Sequence, residues 1–201
     1  MRDHIDIGPQ IPRRHSRALL ALGWCILRAF GWRVDVRLPD APKYLVIAAP
    51  HTSNWDFVFG MAAVLRLQIR LSFIGKHTLF DKPLLGALLR GLGGHPVDRS
   101  RPGGIVQQTV EMFAQREHIV FALAPEGTRS RYAPWRRGFY HMALGAGVPV
   151  VAAYIDYGRR TVGIGPVFRP TGDWGADMKP VFDFYRTVQP KRPENFATDE
   201  L

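Results

Sequence analysis

The sequence predicts an α/β fold: one domain with a mainly parallel or mixed central sheet flanked by helices, preceded by a short N-terminal helix of amphipathic, apolar character. Three observations carry this. Short β-branched or aromatic runs recur along the chain, segments of helical apolar spacing alternate with them, and no low-complexity linker interrupts the alternation. A length of 201 residues with 46% hydrophobic and 22% charged residues suits one folded domain, not two and not a disordered chain.

Residues 1–15, with Pro9 and Pro12, are expected to form an irregular lead-in to a main domain over residues 16–188. The stretch "SRALLALGWCILRAF", 16–30, is the first helix. As a helix it would span about 22 Å, short of the ~30 Å hydrocarbon core of a bilayer, and it carries Arg17 and Arg28, so a spanning segment is a poor reading. No small-residue cleavage site follows a compact apolar core, so a signal peptide is a poor reading too. Two readings stand. Leu19, Leu20, Trp24 and Phe30, flanked by Arg13, Arg14, Arg17 and Arg33, suit a helix lying among lipid headgroups; they equally suit a first helix packed on the domain.

Five runs read as buried strands: "YLVIAA" 44–49, "RLSFIG" 70–75, "HIVFAL" 118–123, "VPVVAAYI" 148–155 and "VGIGPVF" 162–168. Pro149 belongs at the start of the fourth, because a strand interior would lose a ladder hydrogen bond there. Helical patterns fill the gaps at 56–66, 81–92, 103–116 and 138–147, the second with Asp81 as its N-cap and Pro83 in its first turn. Residues 189–201 read as a polar tail.

Charge narrows the partners. The 27 Lys and Arg against 17 Asp and Glu leave +10, which favours nucleic acid, anionic lipid headgroups or phosphorylated substrates. The single cysteine, Cys25, cannot form an internal disulfide, and no Cys/His spacing of the zinc type is present, so no metal is expected. The chain also lacks a G-x-S-x-G elbow, a Walker lysine loop, a dinucleotide glycine fingerprint and an H-E-x-x-H helix.

Strand ends are where sites gather in such folds, and two motifs sit there. In "PHTSNWD", His51 leaves a strand and Asp56 lies where a helix begins. A carboxylate bonded to one ring nitrogen would fix the imidazole tautomer and leave the other nitrogen to take a proton. The alternative is that Asp56 only caps the helix and His51 is a solvated loop residue. In "APEGTRSRYAPWRRGF", 124–139, Gly127 allows close backbone approach, Thr128 offers a hydroxyl and Arg129 can fork onto an anionic oxygen pair, which would make a phosphate cradle. Glu126 can join that cradle or serve as a salt-bridge partner that fixes the loop. Arg99 in "GGHPVDRSR" and Lys76 in "IGKHTLF" are further candidate anion contacts, with solvated surface residues as the alternative.

In this order, "HTSNWD", "GGHPVDR", "PEGTRS" and "GVPVV" resemble the four sequence blocks of the glycerolipid acyltransferases, the 1-acylglycerol-3-phosphate acyltransferase family, over residues 44–155. The likeness is to the short bacterial members in particular. It implies His51 as catalytic base paired with Asp56, and direct transfer of an acyl group from a thioester to an acceptor hydroxyl. It implies acceptor phosphate binding by Arg99, Glu126, Gly127, Thr128 and Arg129, with Lys76 assisting, and a place for Pro149 on the hydrophobic or donor side. The donor would be acyl-CoA or acyl-carrier protein, with no resident cofactor or metal. The acceptor would be a lysophospholipid, and the setting an anionic membrane surface at the cytoplasmic face of the inner membrane, reached peripherally or monotopically. For the acyl chain, residues 79–92 and the N-terminal segment are the apolar candidates.

The match departs from the family pattern at Thr78, where an acid is usual, and at Ala124, where an aromatic residue often precedes the Pro-Glu-Gly-Thr-Arg run. Two rivals remain at this level. A basic membrane-surface or nucleic-acid binding module explains the charge, although aromatics do not interleave with a basic stripe, and nucleic acid is not expected. An acyl-thioester hydrolase would use His51 to activate water.

Overall fold

The computed structural model describes residues 3–97, 104–127 and 135–196. In chain order it begins with β1 (His4–Ile7), α1 (Arg17–Ala29), β2 (Arg33–Leu38), β3 (Lys43–Ala49) and α2 (Asn54–Arg66). Next come β4 (Leu71–Lys76), the single turn α3 (His77–Phe80), α4 (Pro83–Gly91), β5 (Gly94–Val97) and α5 (Gly104–Ala114). The chain continues through β6 (Ile119–Leu123), α6 (Gly138–Ala146), β7 (Val150–Asp156), β8 (Thr161–Phe168) and α7 (Trp174–Tyr185), and a 3-10 turn (Pro193–Asn195) follows. This is the expected α/β domain.

One eight-stranded sheet runs in the order β1-β2-β8-β7-β3-β6-β4-β5. Among the described strands only β7 and β8 pair antiparallel; the other strand pairings are parallel, so the sheet is mixed. The strands from β7 to β5 therefore point the same way and end on one edge, where β2 and β8 begin. At that edge the connections from β3 through α2 and from β6 through α6 leave to opposite faces, which opens a crevice beside the end of β3.

Alternation along the central strands builds two cores. Tyr44 and Val46 of β3 pack with Leu27 of α1 and Phe59, Ala62 and Ala63 of α2. Leu45 and Ile47 face the other way, toward Phe113 of α5, Phe139 and Met142 of α6 and Met178 of α7. Both faces of β3 are buried, as a near-continuous apolar strand requires. Truncating a buried aromatic such as Phe113 or Phe139 to alanine would cost about 3–5 kcal/mol.

The ends of the chain differ from expectation. The lead-in is not irregular throughout, because His4–Ile7 pairs in parallel with β2 and extends the sheet. The tail folds back: Tyr157 N–H donates to Gln189 O at 2.8 Å, and Phe196 is buried. Asp81 does not cap α4, whose N-cap is Lys82 with no side-chain cap bond. Pro149 does stand just before β7, where its carbonyl accepts from Leu45 N–H at 2.9 Å.

Candidate active site

The turn from β3 into α2 folds so that one carboxylate serves several donors. Ser53 is the N-cap of α2 and Asp56 occupies the third helical position, closing a capping box. Asp56 Oδ2 accepts from the backbone N–H groups of Thr52 and Ser53, both at 2.7 Å. Its Oδ1 accepts from the Tyr157 hydroxyl at 2.7 Å. These three bonds offset the desolvation of a carboxylate that is only 2% exposed.

His51 Nδ1 lies 3.7 Å from Asp56 Oδ2, with the imidazole a quarter exposed and the carboxylate buried. That separation is an ionic contact and is longer than a hydrogen bond. Loose catalytic contacts of this size are common in unliganded sites and tighten with substrate. The helix-cap and dyad readings of Asp56 are thus compatible, since the same side chain caps α2 and faces the imidazole.

Glu126, just beyond β6, turns inward to the His51 turn. It is buried at 3% exposure, and its Oε1 accepts from the backbone N–H of His51 at 2.8 Å. Burial pushes its carboxyl up to about 7; the bond from His51 pulls against that rise and the Asp56 charge adds to it. A side chain so placed pins the main chain of His51 and is not presented to an acceptor. Gly127 next to it has φ +68°, a conformation that favours glycine, and a Cβ there would press on Arg136.

An apolar pocket of about 270 Å³ opens beside this turn and runs under α2. His51 and Asp56 line it, and Pro50, Ala48, Val46 and Tyr44 form a rail along β3. From Tyr44 to Pro50 that rail is about 20 Å long, the scale of a long fatty acyl chain. Residues 79–92 and the N-terminal helix are absent from its lining, which lies between α2 and the sheet, a contact that no local pattern reveals.

The other expected site residues separate into three groups. Arg99, Thr128 and Arg129 lie outside the described residues. Lys76 ends β4 at the edge of the sheet where His51 lies, with only its backbone described. Pro149 is a correction: it precedes β7 at the edge opposite His51, about 20 Å away by strand rise, and is absent from the pocket lining. The parallel pairing of Leu45 with Val150 fixes that distance, because the β7 end nearest His51 is its carboxyl end. Among the described residues no group of three or more His, Cys, Asp or Glu side chains could hold a metal.

Two participants were missed. Tyr157 follows β7 and reaches Asp56; burial first, and the bond to Asp56 second, raise its hydroxyl well above the usual tyrosine range, so it remains a donor. Lys191, from the supposed tail, holds its Nζ 4.9 Å from the Trp55 ring centroid and 5.8 Å from that of Tyr157. Tyr157 had a signal available, since it stands at the end of a buried strand run. Lys191 had none.

Known proteins bear on this arrangement. A family model described as Acyltransferase matches residues 34–156. The 1-acyl-sn-glycerol-3-phosphate acyltransferase of Escherichia coli (strain K12) is 33% identical over 136 residues, covering 63% of this chain and 54% of that protein. The protein of the same name from Limnanthes alba is 28% identical over 188 residues, covering 82% of this chain and 66% of that one. The chain thus spans about half the length of the bacterial relative. The crystal structure of the 1-acyl-sn-glycerophosphate (LPA) acyltransferase, PlsC, from Thermotoga maritima superposes with a TM-score of 0.58 at 19% identity, covering 85% of this chain and 74% of that one, a likeness of fold. The matched segment contains β3, the His51 turn, α2, β6, Glu126 and β7, and on this evidence the chain belongs to the acyltransferase family.

Proposed function

We propose that the protein transfers a fatty acyl group from an acyl thioester to the hydroxyl of a lysophospholipid that carries a phosphate. The observation that supports this most is the placement of His51, facing a buried carboxylate at the mouth of an apolar pocket. Nδ1 is directed to Asp56, and Nε2 is the atom we assign to the substrate. It takes the proton of the acceptor hydroxyl as the oxygen attacks the thioester carbonyl. The tetrahedral intermediate then expels the thiolate, which recovers that proton from the imidazolium, giving an ester and a free thiol. Asp56 stabilises the imidazolium, and the chain of the acyl group lies in the pocket under α2. Arg99, Thr128 and Arg129 are the acceptor-phosphate ligands in this reading, with Lys76 assisting, and acyl-CoA or acyl-carrier protein is the donor. No helix among the described residues is long and apolar enough to cross a membrane. We place the protein at a membrane surface, on the cytoplasmic face, through exposed apolar side chains and its basic charge.

The test uses labelled acyl-CoA and lysophosphatidic acid on anionic vesicles. His51→Ala should lower turnover by about 10² to 10⁴, the usual worth of a general base. Asp56→Asn retains an oxygen for the capping bonds and removes the charge, so it should also fall steeply while the fold, read by circular dichroism, persists. Wild-type turnover in either variant would sink the dyad. Thiol release at full rate without any acceptor would assign the site to hydrolysis.

A further inference from the structure

A second cavity, of about 390 Å³, lies outside the pocket under α2, and its wall includes Trp24, Trp32, Arg28, Arg33, Arg66 and Arg159 together with Asp3. Its volume falls in the range of small-ligand sites and exceeds what a lone phosphate fills. Helix C-termini would account singly for Arg28 and Arg66, which lie in the last turns of α1 and α2. They do not account for Arg33 and Arg159, which reach the same cavity from the sheet edge. The guanidiniums are held in place: Arg159 Nη2 and Nε bond to the buried Asp156 at 2.7 and 2.8 Å, and Arg33 Nε donates to Thr161 Oγ1 at 2.8 Å. Arg66 Nη2 is 3.4 Å from Asp3, while its Nε is buried without a hydrogen-bond partner among the described residues. Among the described residues two carboxylates, Asp3 and Asp156, stand against four arginines, which leaves the cavity positive. Trp24 is 48% exposed and makes no ring contact among the described residues, which leaves part of its indole accessible to a ligand.

The cavity stands at the catalytic edge of the sheet. Arg33 opens β2 opposite Thr161 at the start of β8, and Thr161 faces Asp156 at the end of β7, the neighbour of β3. Three strand spacings separate β2 from β3, about 14 Å. Between the two sites stands one wall: Trp32 meets Tyr157 edge to face at 4.9 Å, and Tyr157 bonds Asp56. The phosphate of a lysophospholipid whose hydroxyl sits at His51 cannot reach that far, because a glycerol unit is too short. An extended pantetheine arm is long enough.

On the acyl-transfer reading above, we propose that this arginine and tryptophan cavity binds the phosphorylated adenosine end of coenzyme A, with the arginines on its phosphates and Trp24 on its purine. The pantetheine arm then passes the Trp32 and Tyr157 wall to bring the thioester to His51. The donor is thereby the nucleotide-bearing thioester, and acceptor phosphate and donor phosphates occupy separate sites.

Adenosine 3′,5′-bisphosphate, titrated into the full chain by calorimetry, tests this without catalysis. Binding that weakens with salt, and by about tenfold or more in Arg28→Ala and in Arg33→Gln, is expected from the loss of charged hydrogen bonds. Trp24→Ala should weaken it too, and in turnover assays the same variants should raise the KM for acyl-CoA more than that for the acceptor. His51→Ala should bind the bisphosphate as the wild type does. No binding by the wild type, equal binding by all three cavity variants, or displacement of the bisphosphate by glycerol 3-phosphate at equal concentration would each overturn the assignment. Acyl transfer from CoA without bisphosphate binding removes this site alone; binding without acyl transfer from any thioester upholds the nucleotide site and removes the catalytic reading.

Discussion

The Tyr157 hydroxyl donates to Asp56 Oδ1 at 2.7 Å across 101 residues of sequence. It joins the end of β7 to the start of α2, on the carboxylate that faces His51. With the Thr52 and Ser53 amides on Oδ2, it leaves that carboxylate little freedom to rotate. The Tyr157 ring is itself held, edge to face with Trp32 at 4.9 Å and with Phe59 at 6.1 Å.

Tyr157→Phe keeps those ring contacts and removes one donor. A hydrogen bond to a charged group is worth about 1.5–3 kcal/mol, so half of it lost in the transition state lowers kcat by about three- to tenfold. A Phe variant with wild-type kcat would confine Tyr157 to packing.

Glu126 yields a prediction for stability. Its folded-state carboxyl titrates near 7 against an ordinary value of 4.5, so the folded state holds the proton more tightly than the unfolded chain does. Stability should therefore be full below pH 4.5, fall as pH rises toward 7 and level off above it, a loss on the order of 3 kcal/mol for this group. Glu126→Gln keeps an oxygen for the His51 amide and cannot ionise, so its urea-unfolding free energy should lack that fall and exceed the wild type at pH 8. Because Glu126 acts through the His51 backbone, Gln should retain most turnover, and Glu126→Ala should lose it mainly in kcat. A selective rise in acceptor KM would restore the contact expected from sequence.

What was legible follows from how each element is buried. The strands enclosed on both faces, β3, β6 and β7, announce themselves as apolar runs. β2 reads "RVDVRL", with one face exposed, and β1 exposes three of its four residues, so neither forms such a run. Helix α7 hides behind Pro180 in its interior, and β5 behind a glycine and a proline. At the site, His51 and Asp56 are five residues apart and could be paired from sequence. Tyr157 could not be, because its reach to Asp56 depends on β7 lying parallel beside β3. The same pairing sends Pro149 to the wrong edge: the order of motifs along a chain does not say which end of a strand each occupies.

The pocket under α2 makes chain length testable. Val46 sits midway along the β3 rail, facing α2. Val46→Phe adds bulk there, and overpacking costs stability of about 1–3 kcal/mol. A folded Phe variant should accept short acyl thioesters at near the wild-type rate and long ones poorly. The ratio of kcat/KM values across a series of chain lengths measures it, and an unaltered ratio would place the acyl chain elsewhere.

Membrane contact is the last testable element. Leu84 and Leu88 of α4 are 90% and 58% exposed, one helical turn apart, between Lys82 and Arg90. Arg14 Nη1 bonds Gly91 O at 2.8 Å, which ties the segment ahead of α1 to the end of this helix. Leu20 and Leu22 of α1, and Phe30 at its C-cap, are also exposed. Apolar side chains flanked by cations suit the headgroup region of an anionic bilayer. Burying a leucine is worth about 1.5–3 kcal/mol, so Leu84→Glu with Leu88→Glu should weaken partition into anionic vesicles by on the order of 10²-fold. The fold should persist, because neither side chain belongs to a core. Turnover should fall on vesicle-bound acceptor and hold on a short-chain acceptor presented as monomers. Unchanged partition would move the contact off α4 and leave α1 to carry it, a result that Leu22→Glu would then have to reproduce.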